Sequence, residues 1–381
     1  MILPPKTIGV LGGGQLGRMF AMEAKRMGYR IWTLDPEPDS PCGQVADGQV
    51  QAPFDDLAAA QELASHCDLI TYEFENVHVR VVEGLEQAGK EVSPGSRVLE
   101  VTQNRLLEKN FLRSHQIPVT GFCKIETLKD LEVARETVGL PAVLKTIFGG
   151  YDGKGQIVIQ NEQEAEEAFH RLEELSQGKA LVWEKFVPFV KELGIICSRN
   201  KAGQVVTFPI AENVHRENIL HLSSVPARIG RDVEDRLIEI AVKIAEALQI
   251  VGTFCVETFL LEDGKVMVNE IAPRVHNCGH YTLDACVTSQ FEQHLRAICD
   301  LPLGSTELLS PVAMVNLLGE GNGNELIGVE EALRDPKVKL HLYGKKVAKA
   351  KRKMGHLTAL AGSAEEAIER ALSAHKKLRW R

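Results

Sequence analysis

The chain of 381 residues lacks several features that mark particular classes of protein. No apolar run approaches the ~20 residues that a membrane-spanning helix needs, so we expect no membrane partner. Basic residues do not predominate, because the net charge is −8, and this argues against general nucleic-acid binding. The opening residues, MILPPKT, lack the architecture of a signal peptide. We therefore expect a cytoplasmic protein with neither nucleic-acid nor membrane partners.

The eight cysteines contain no C-x-x-C pair. Several of them lie in apolar surroundings, which is typical of free buried thiols in a reducing compartment. His276 and His280 have the spacing H-x-x-x-H, which also occurs in zinc sites. No helical pattern surrounds this pair and no acid accompanies it, so we interpret His276 as a histidine that lines a pocket and expect no zinc.

What the chain does have is a glycine-rich opening, IGVLGGGQLGRMFAM. Gly12, Gly14 and Gly17 spell G-x-G-x-x-G between a strand-like run and a helix-like run. Asp35 ends the next strand-like run, where a dinucleotide-binding unit keeps its ribose-binding acid. One interpretation is an NAD(P)-dependent oxidoreductase. The other is a helix N-terminus that binds a different anion.

Alternating strand and helix patterns over the first 100 residues predict a small parallel α/β domain. PGSRVLEVTQ resembles a linker, and NRLLEKNFLRSHQ is an amphipathic helix. A long mixed region follows, and after DLPLG the chain ends with short strands, a basic stretch and a final helix. These changes predict three domains: residues 1–100, 101–305 and 306–381.

The stretch FCVETFLLEDGKVMVNEIAPR predicts a β-hairpin. Asp263 and Gly264 are typical of a two-residue type I′ turn, which would make the numbers of paired residues sum to 527. Glu257 then lies opposite Glu270. Two like charges in such a pair are destabilising, unless one carboxyl is protonated, both reach water, or a divalent cation bridges them. We favour a Mg²⁺ site between the strands.

The stretch GLPAVLKTIFGGYDGKGQIVI places Lys145 at the end of an apolar strand, before a loop with four glycines. Such a loop lets backbone N–H groups close over phosphates, although a flexible hairpin turn has the same pattern. It is not a Walker A loop. A later strand ends at Glu184, and its exit through Val187 could present backbone groups to the edge of an adenine. Glu192 could accept hydrogen bonds from ribose hydroxyls.

In their order along the chain, these features resemble the ATP-grasp superfamily. The motifs GGGQLGRM, YEFENV, GGYDGKGQ, ENVHRENIL and NEIAPRVHNCGHYT are together similar to the N5-carboxyaminoimidazole ribonucleotide synthases, from Ile8 to the final helix. The resemblance implies an α/β and α+β fold. It comprises an ATP-grasp domain, an N-terminal Rossmann-like domain and a small β-rich C-terminal domain.

The resemblance also implies an activity. The family uses ATP and bicarbonate to carboxylate the amino group of 5-aminoimidazole ribonucleotide, through carboxyphosphate, releasing ADP and phosphate. It implies ATP and Mg²⁺ as cofactors, with Mn²⁺ as an alternative ion. The implied partners are small-molecule substrates and a second copy of the chain in a homodimer. A separate mutase would take the carbamate product onward.

The residues that match the family's functional positions fall into four groups. Nucleotide contacts would come from Arg105, Lys145, the lid residues Gly150, Tyr151, Asp152, Gly153, Lys154, Gly155 and Gln156, the adenine-binding residues Glu184, Lys185, Phe186 and Val187, and Glu192, His215, Asn269 and Glu270. The metal ligands would be Glu257 and Glu270. The catalytic residues would be Tyr151, Asp152, Arg274, His276 and Lys353. The ribonucleotide substrate would contact Gly14, Gln15, Leu16, Glu73, Arg274, Asn277, Lys345, Arg352 and Lys353.

Four positions depart from the family's pattern: Ala272, Lys349, Ala350 and Lys351. Ala272 stands where many ATP-grasp enzymes have an asparagine, so the metal shell would rely on the two glutamates, phosphates and water. The family often has RPGRKMGH where this chain has KAKRKMGH. As a strand, this stretch would place Lys349, Lys351 and Lys353 on one face; a solvated basic face is the alternative.

Rival functions also follow from these features. A related ATP-grasp carboxylase or formyltransferase could act on biotin or glycinamide ribonucleotide, and a nucleotide-binding regulator would keep only the ATP residues. The oxidoreductase has no use for the Glu257 and Glu270 pair. If the family resemblance holds, the opening glycines face the ribonucleotide substrate, and Asp35 becomes an ordinary acid at a strand end.

Overall fold

The computed structural model of the chain describes residues 1–149, 155–321 and 323–381. The N-terminal part alternates strands and helices, as its sequence predicts. Its elements are β1 (Thr7–Leu11), α1 (Gln15–Arg26), β2 (Arg30–Leu34), β3 (Gly48–Val50), α2 (Leu57–Ser65), β4 (Leu69–Tyr72), α3 (Val79–Gln87) and α4 (Ser96–Gln103). The strands pair in parallel in the order β3-β2-β1-β4. The prediction of a Rossmann-like domain is confirmed.

Helix α4 corrects one expectation, because PGSRVLEVTQ is not a linker. Val98, Leu99 and Val101 are buried on one side of this helix and join two of the hydrophobic cores. These three residues lie within about one turn of helix. That length is too short for a periodic pattern to be recognised in the sequence.

The next part begins with α5 (Arg105–Ser114), whose N-terminus is capped by the Asn104 side chain. A small antiparallel sheet follows, in the order β5-β8-β6-β7. Its elements are β5 (Phe122–Ile125), α6 (Leu128–Thr137), β6 (Ala142–Thr146), β7 (Gln156–Ile159), α7 (Glu162–Leu175) and β8 (Leu181–Lys185). Both helices pack on the sheet around Trp183, which is fully buried.

A long sheet forms the rest of the molecule, in the order β14-β13-β9-β11-β12-β15-β18-β17, with β10 beside β9. Its first elements are β9 (Phe189–Arg199), β10 (Val205–Thr207), β11 (Ala211–Arg216), β12 (Ile219–Val225), α8 (Arg231–Leu248), β13 (Gly252–Leu261), β14 (Val266–Ala272), α9 (Thr282–Ala285) and α10 (Gln290–Ile298). The remaining elements are β15 (Val312–Leu318), β16 (Leu326–Ile327), α11 (Val329–Leu333), β17 (Val338–Leu342), β18 (Lys353–Leu360), α12 (Ala364–His375) and β19 (Arg379–Trp380). Since β15 pairs with β12, the C-terminal part shares its sheet with the central part. Among the helices of residues 1–149, 155–321 and 323–381, none combines the length and the apolar composition of a membrane-spanning segment.

The hairpin of β13 and β14 confirms the predicted pairing of Glu257 with Glu270, although the predicted turn is wrong. Gly264 has φ +78° and its N–H bonds the carbonyl of Leu261, while Asp263 keeps a negative φ. This is a three-residue loop, not a type I′ turn. Paired numbers therefore sum to 526 near the turn, as in Leu260 with Val266.

A β-bulge restores the predicted register further along the hairpin. Thr258 pairs with Val268 and Glu257 with Glu270, so Asn269 is the additional residue on β14. The sum becomes 527 at the two glutamates because the bulge compensates for the longer loop. Bulges bend a strand and redirect the side chain of the additional residue, and Asn269 lies on the wall of the cleft described below.

The basic stretch before β18 is not a strand, which corrects the expectation that Lys349, Lys351 and Lys353 share one strand face. Strand β18 begins at Lys353, and Lys351 has φ +64°, outside the extended region. The ammonium of Lys351 lies 2.6 Å from the carboxylate of Glu217, and that of Lys346 lies 3.0 Å from Asp39. Lys346 and Lys351 of the basic stretch thus form surface ion pairs.

Candidate active site

The three parts of the chain meet around a cleft of about 680 Å³. One wall is the small sheet β5-β8-β6-β7, the opposite wall is the β14 end of the long sheet, and the N-terminal part closes one side. Residues proposed from the sequence that line it are Gln15, Leu16, Glu73, Arg105, Lys145, Gln156, Glu184, Lys185, Phe186, Val187, Glu192, His215, Glu257, Asn269, Glu270, Arg274, His276, Asn277 and Lys353. Positions spread over more than 300 residues are therefore brought together.

A buried charge cluster lies on the side of the small sheet. The carboxylate of Glu184 lies 3.1 Å from the ammonium of Lys145 and 3.1 Å from that of Lys109. Burial opposes its charge, but the two lysines outweigh this and lower the pKa of Glu184 to about 2. Burial lowers the pKa of Lys145. One acid and two bases leave a net positive charge, which suits the phosphates of a nucleotide.

The paired glutamates lie on the opposite wall. A guanidinium nitrogen of Arg105 lies 3.3 Å from a carboxylate oxygen of Glu270, and His276 Nε2 lies 3.2 Å from a carboxylate oxygen of Glu257. Burial and the charge of Glu270 raise the pKa of Glu257 to about 7. Such a rise is the expected result of two carboxylates sharing a site without a cation between them. The oxygen donors fit Mg²⁺ or Mn²⁺.

Glu108 on α5 lies directly behind this pair. Its carboxyl is 2 % exposed and accepts a hydrogen bond from the backbone N–H of Ile271, at 2.6 Å. Burial and the charge of Glu270 raise the pKa of Glu108 to about 8. The hydrogen bond fixes α5, which carries Arg105, against β14, which carries Glu270.

The exit of β8 leaves one backbone donor on the cleft. The N–H of Lys185 bonds the carbonyl of Gly121, and the N–H of Phe186 bonds that of Pro141. The N–H of Val187 has no protein partner in the ranges that the structure describes. The strand exit therefore has an edge suited to a planar hydrogen-bonding base.

Glu192 on β9 and His215 on β11 form a pair on the wall of the long sheet. His215 Nδ1 lies 2.7 Å from a carboxylate oxygen of Glu192. Burial opposes the histidine's charge, but this hydrogen bond and the charge of Glu257 outweigh it and raise the pKa of His215. The pair joins two strands at the position expected for ribose contacts.

Arg274, His276 and Asn277 line the cleft just after the end of β14. The guanidinium of Arg274 donates to the carboxylate of Glu75, which ties the long sheet to the N-terminal part. Burial and the neighbouring Arg274 lower the pKa of His276, so this imidazole is neutral. The amides of Asn277 and Asn316 bond each other in both directions, at 3.1 and 2.6 Å.

The opening glycines hold carboxyl groups of the protein itself. The N–H groups of Gly14 and Gly17 donate to the two oxygens of Glu73, and that of Gly13 donates to Asp35 at 2.7 Å. Asp35 is thus not an ordinary strand-end acid, since it fixes the glycine loop. Gly14 does not line the cleft and its N–H is taken, whereas its neighbours Gln15 and Leu16 do line it.

A basic cluster lies near Glu73, the acid that bonds the glycine loop. Burial and the charges of Arg352 and Lys353 lower the pKa of Lys345 to about 8, against the opposite effect of Glu73. The ammonium of Lys345 donates to the carbonyl of Lys353 at 2.7 Å. Lys353 lines the cleft, whereas Lys345 and Arg352 do not, and Arg352 lies 3.5 Å from Glu37.

The remaining proposed residues lie in the glycine-rich loop. Gly150, Tyr151, Asp152, Gly153 and Lys154 are outside the described residues. Gly155 has φ +77°, and its carbonyl accepts from the N–H of Thr146, so it belongs to the β6-β7 connection.

Sequence reasoning missed Glu75, Glu108 and Lys109, all of which line the cleft. Lys109 follows Arg105 by four residues on α5, and this spacing places both cations on one face of the helix. That spacing was the available signal for Lys109. Glu108 and Glu75 act through partners more than 160 residues away, which no local pattern shows.

Two facing sheets with a nucleotide-sized cleft between them define the class of protein as an ATP-grasp enzyme. Residues 110–291 match the ATP-grasp domain family. Residues 5–103 match the ribonucleotide synthetase preATP-grasp domain, and residues 312–370 match the phosphoribosylaminoimidazole carboxylase C-terminal domain. The predicted fold class is confirmed, and the dinucleotide interpretation of the opening glycines is wrong.

The N5-carboxyaminoimidazole ribonucleotide synthase of Bacillus subtilis (strain 168) is 47% identical over 373 residues, which cover 97% of this chain and 95% of that protein. A crystal structure of an N5-carboxyaminoimidazole ribonucleotide synthetase with ADP is 49% identical, with TM-score 0.92 and coverage of 98% and 97%. The Aspergillus clavatus synthase in complex with ADP and 5-aminoimidazole ribonucleotide is 34% identical, with TM-score 0.88 and coverage of 98% and 99%. The chain belongs to the N5-carboxyaminoimidazole ribonucleotide synthase family.

Proposed function

We propose that the cleft catalyses the ATP- and bicarbonate-dependent carboxylation of 5-aminoimidazole ribonucleotide to N5-carboxyaminoimidazole ribonucleotide, a step of purine biosynthesis. The observation that carries this proposal is the arrangement of charge along one cleft. Lys109 and Lys145 pair with Glu184 on the side of the small sheet, and Arg105 on α5 pairs with Glu270. A second group, Arg274, His276 and Lys353, lines the same cleft from the long sheet and the turn that follows β14. The first group suits the phosphates of ATP, and the second suits bicarbonate and the ribonucleotide.

The nucleotide lies along the small sheet in this proposal. Lys145 and Arg105 neutralise its phosphates, the strand exit at Val187 receives adenine, and Glu192 accepts the ribose hydroxyls. Glu184 holds Lys145 and Lys109 in place. Asn269 contacts the nucleotide from the bulge, and the loop of residues 150–156, with Tyr151 and Asp152, serves as its lid.

Glu257 and Glu270 are the proposed ligands of the divalent cation. When bound, Mg²⁺ neutralises charge on the phosphates during transfer. The cation would take over the interaction that Arg105 now makes with Glu270, since both are cations near one carboxylate. Arg105 would then be released toward the phosphates.

The first chemical step joins bicarbonate to the terminal phosphoryl group. A bicarbonate oxygen attacks the γ-phosphorus, the bond to the β,γ-bridging oxygen breaks, and ADP leaves, which gives carboxyphosphate. Positioning and charge neutralisation supply most of the catalysis in such transfers. Arg274 and Asn277 hold the anion, and the ion pair with Glu75 fixes Arg274 in place.

The second step forms the carbon–nitrogen bond. The exocyclic amine of the ribonucleotide attacks the carboxyl carbon, inorganic phosphate leaves, and the nitrogen loses one proton. His276 is neutral because burial and Arg274 lower its pKa, so its imidazole can accept a proton or a hydrogen bond. Gln15, Leu16, Lys345, Arg352 and Lys353 hold the ribonucleotide and its 5′-phosphate.

The wider setting of the enzyme is also part of this proposal. We place it in the cytoplasm, because its eight cysteines are all free and seven of them are buried. We expect a homodimer, as the family resemblance implies, and a separate mutase that consumes the carbamate product. Sedimentation of the purified chain tests whether it is a homodimer.

Phosphate release from MgATP tests the proposed reaction. We expect turnover to require both 5-aminoimidazole ribonucleotide and bicarbonate, because bicarbonate is the phosphoryl acceptor and the amine consumes carboxyphosphate. Glycinamide ribonucleotide and biotin serve as matched controls and should not replace the substrate. Turnover that does not respond to 5-aminoimidazole ribonucleotide would refute the assignment.

A further inference from the structure

Three side chains that favour soft metal ions converge behind the wall of the cleft. Cys255 lies on β13, and His276 and Cys278 lie at the 3-10 turn of Asn277–Gly279. The two sulfurs are 3.6 Å apart, and His276 Nδ1 is 3.1 Å from the sulfur of Cys278. All three atoms lie within 4.8 Å of one another. Among the described residues, these three side chains form a group of histidines and cysteines close enough to share a metal ion.

The distances match a shared cation better than a covalent bond. Sulfur at about 2.3 Å and nitrogen at about 2.0–2.1 Å from a tetrahedral Zn²⁺ lie about 3.4–3.8 Å from each other. A disulfide needs about 2.05 Å between its sulfurs, far less than the separation of Cys255 and Cys278. The sulfur–sulfur distance of 3.6 Å lies in the range for a shared Zn²⁺, and the distance of 3.1 Å from His276 Nδ1 to the sulfur of Cys278 lies slightly below it. Since all three atoms lie within 4.8 Å of one another, small side-chain movements would place them around one ion.

The neighbours of His276 hold it in the orientation of a metal ligand. Its Nδ1 faces the sulfurs, and its Nε2 lies 3.2 Å from a carboxylate oxygen of Glu257. A histidine that binds metal through one nitrogen commonly donates its other N–H to a carboxylate. The backbone N–H of His276 also donates to Gln290 at 2.9 Å, which fixes the start of the turn.

The cleft offers the entry path. Cys255 and Cys278 are fully buried, whereas the His276 side chain is 12 % exposed and lines the cleft. An ion arriving through the cleft meets His276 first and the sulfurs behind it. The fourth position of a tetrahedral ion remains for water or an anion from the cleft.

We propose that Cys255, Cys278 and His276 form a binding site for a thiolate-seeking divalent cation such as Zn²⁺, and that its occupancy inhibits the enzyme. Binding releases the thiol protons to water and holds His276 with Nδ1 on the ion and Nε2–H toward Glu257. Neither nitrogen is then left to accept the proton of the second step. Mg²⁺ does not compete, because it selects oxygen ligands. The binding of the cation does not depend on the proposed function. The inhibition does, because it rests on the role of His276 in the proposed reaction.

Titration of the metal-free full chain with Cd²⁺ tests the site, because cadmium bound to thiolate has a charge-transfer absorption in the ultraviolet. We expect one Cd²⁺ per chain, displaced by Zn²⁺ and unaffected by excess Mg²⁺. Cys255→Ser and Cys278→Ser should each lose most of the band and bind Cd²⁺ at least about tenfold more weakly. Cys123→Ser is the matched control, since Cys123 lies on β5 in the small sheet, and it should titrate like the parent chain.

The activity arm uses the phosphate-release assay. Zn²⁺ at low excess should inhibit the parent chain, whereas Cys278→Ser should keep turnover and resist inhibition. Far-UV circular dichroism checks the fold, and Cys278→Ala replaces the serine variant if that variant is misfolded. Absence of a thiolate band in the parent chain, or an unchanged band in both cysteine variants, overturns the proposal. Cd²⁺ binding at these cysteines in a chain without carboxylation activity refutes the proposed function instead.

Discussion

At the scale of single residues, the buried acids of the cleft carry different charges at neutral pH because their neighbours differ. Glu184 faces two lysines, which hold its pKa at about 2 despite burial. Glu108 is as deeply buried, but it faces Glu270 and accepts a single backbone N–H, and its pKa rises to about 8. Glu184 is therefore charged in the folded chain, whereas Glu108 keeps its proton near pH 7.

Glu108→Gln tests this difference. Folding raises the pKa of Glu108 from 4.5 to about 8. The contribution of this group to the free energy of unfolding is therefore fully present below pH 4.5 and is lost as the pH rises through 8. Glutamine still accepts the N–H of Ile271 but does not titrate. The unfolding free energy of the variant minus that of the parent chain should therefore increase by on the order of 4 kcal/mol from pH 5 to pH 9. Urea unfolding in EDTA measures it.

The exposed Glu100→Gln is the matched control, and its unfolding free energy should follow that of the parent chain at every pH. Parallel pH profiles for Glu108→Gln and the parent chain would show that the pKa of Glu108 does not rise on folding, and would refute the charge assigned to it.

Residues of the cleft could be found in the sequence when their chemistry was local. Lys145 ends an apolar strand, and Glu257 and Glu270 flank a recognisable turn. Glu75 and Glu108 could not be found, because each gains its role from a partner on a distant segment. Pairing across such distances depends on the packed fold, which no short window of sequence contains.

At the scale of secondary-structure elements, the β13-β14 hairpin places two glutamates opposite each other by two compensating irregularities. The loop has one residue more than a type I′ turn, and the bulge at Asn269 adds one residue to β14. Counting regular pairs outward from a two-residue turn therefore predicts the correct pairing of Glu257 with Glu270, although the turn itself is wrong. Helix α4 was not predicted from the sequence, because its buried residues span too few turns to show a helical period.

Substitutions in the loop distinguish the observed turn from a type I′ turn. Gly264 alone has a positive φ, so Gly264→Ala should cost ~1 kcal/mol of unfolding free energy. Asp263→Ala removes an exposed ion pair with Lys265 and an exposed hydrogen bond from the N–H of Lys265 to the Asp263 carboxylate. It should cost about 0.5 kcal/mol, less than Gly264→Ala. Chemical denaturation measures both. Equal losses from the two variants would favour the type I′ turn, in which both positions need positive φ.

At the scale of the whole molecule, the cleft exists because three parts of the chain fold against one another. Ion pairs join them, including Arg274 with Glu75 and Arg105 with Glu270. The family resemblance predicted this architecture, whereas periodicity alone predicted little beyond the N-terminal α/β domain. The continuous sheet from β14 to β17 could not be read from the sequence, because its neighbouring strands are far apart in the chain.

Ligand-induced stabilisation tests the metal pair independently of turnover. MgADP at 100 times its Kd should stabilise the parent chain by about 2.7 kcal/mol, and the same concentration of ADP in EDTA should stabilise it less. In Glu270→Gln the two conditions should become equal, because one of the two metal ligands is lost. Thermal unfolding measures the shifts, and MgATP turnover of this variant should be abolished.

Glu262→Gln is the matched control, because Glu262 lies exposed at the loop of the same hairpin. It should keep the full difference between MgADP and ADP. If Glu270→Gln also keeps that difference, the metal is held elsewhere.

The carboxyl groups on the glycine loop have an evolutionary consequence. A pyrophosphate entering this loop would compete with Asp35 and Glu73 for the N–H groups of Gly13, Gly14 and Gly17. Its negative charge would be repelled by acids already in place. Changes in the glycines alone would therefore not give this domain a free dinucleotide loop, since Glu73 would still occupy the N–H groups of Gly14 and Gly17. The domain thus combines the backbone shape of a dinucleotide-binding unit with a loop whose N–H groups already hold two of the protein's own carboxylates.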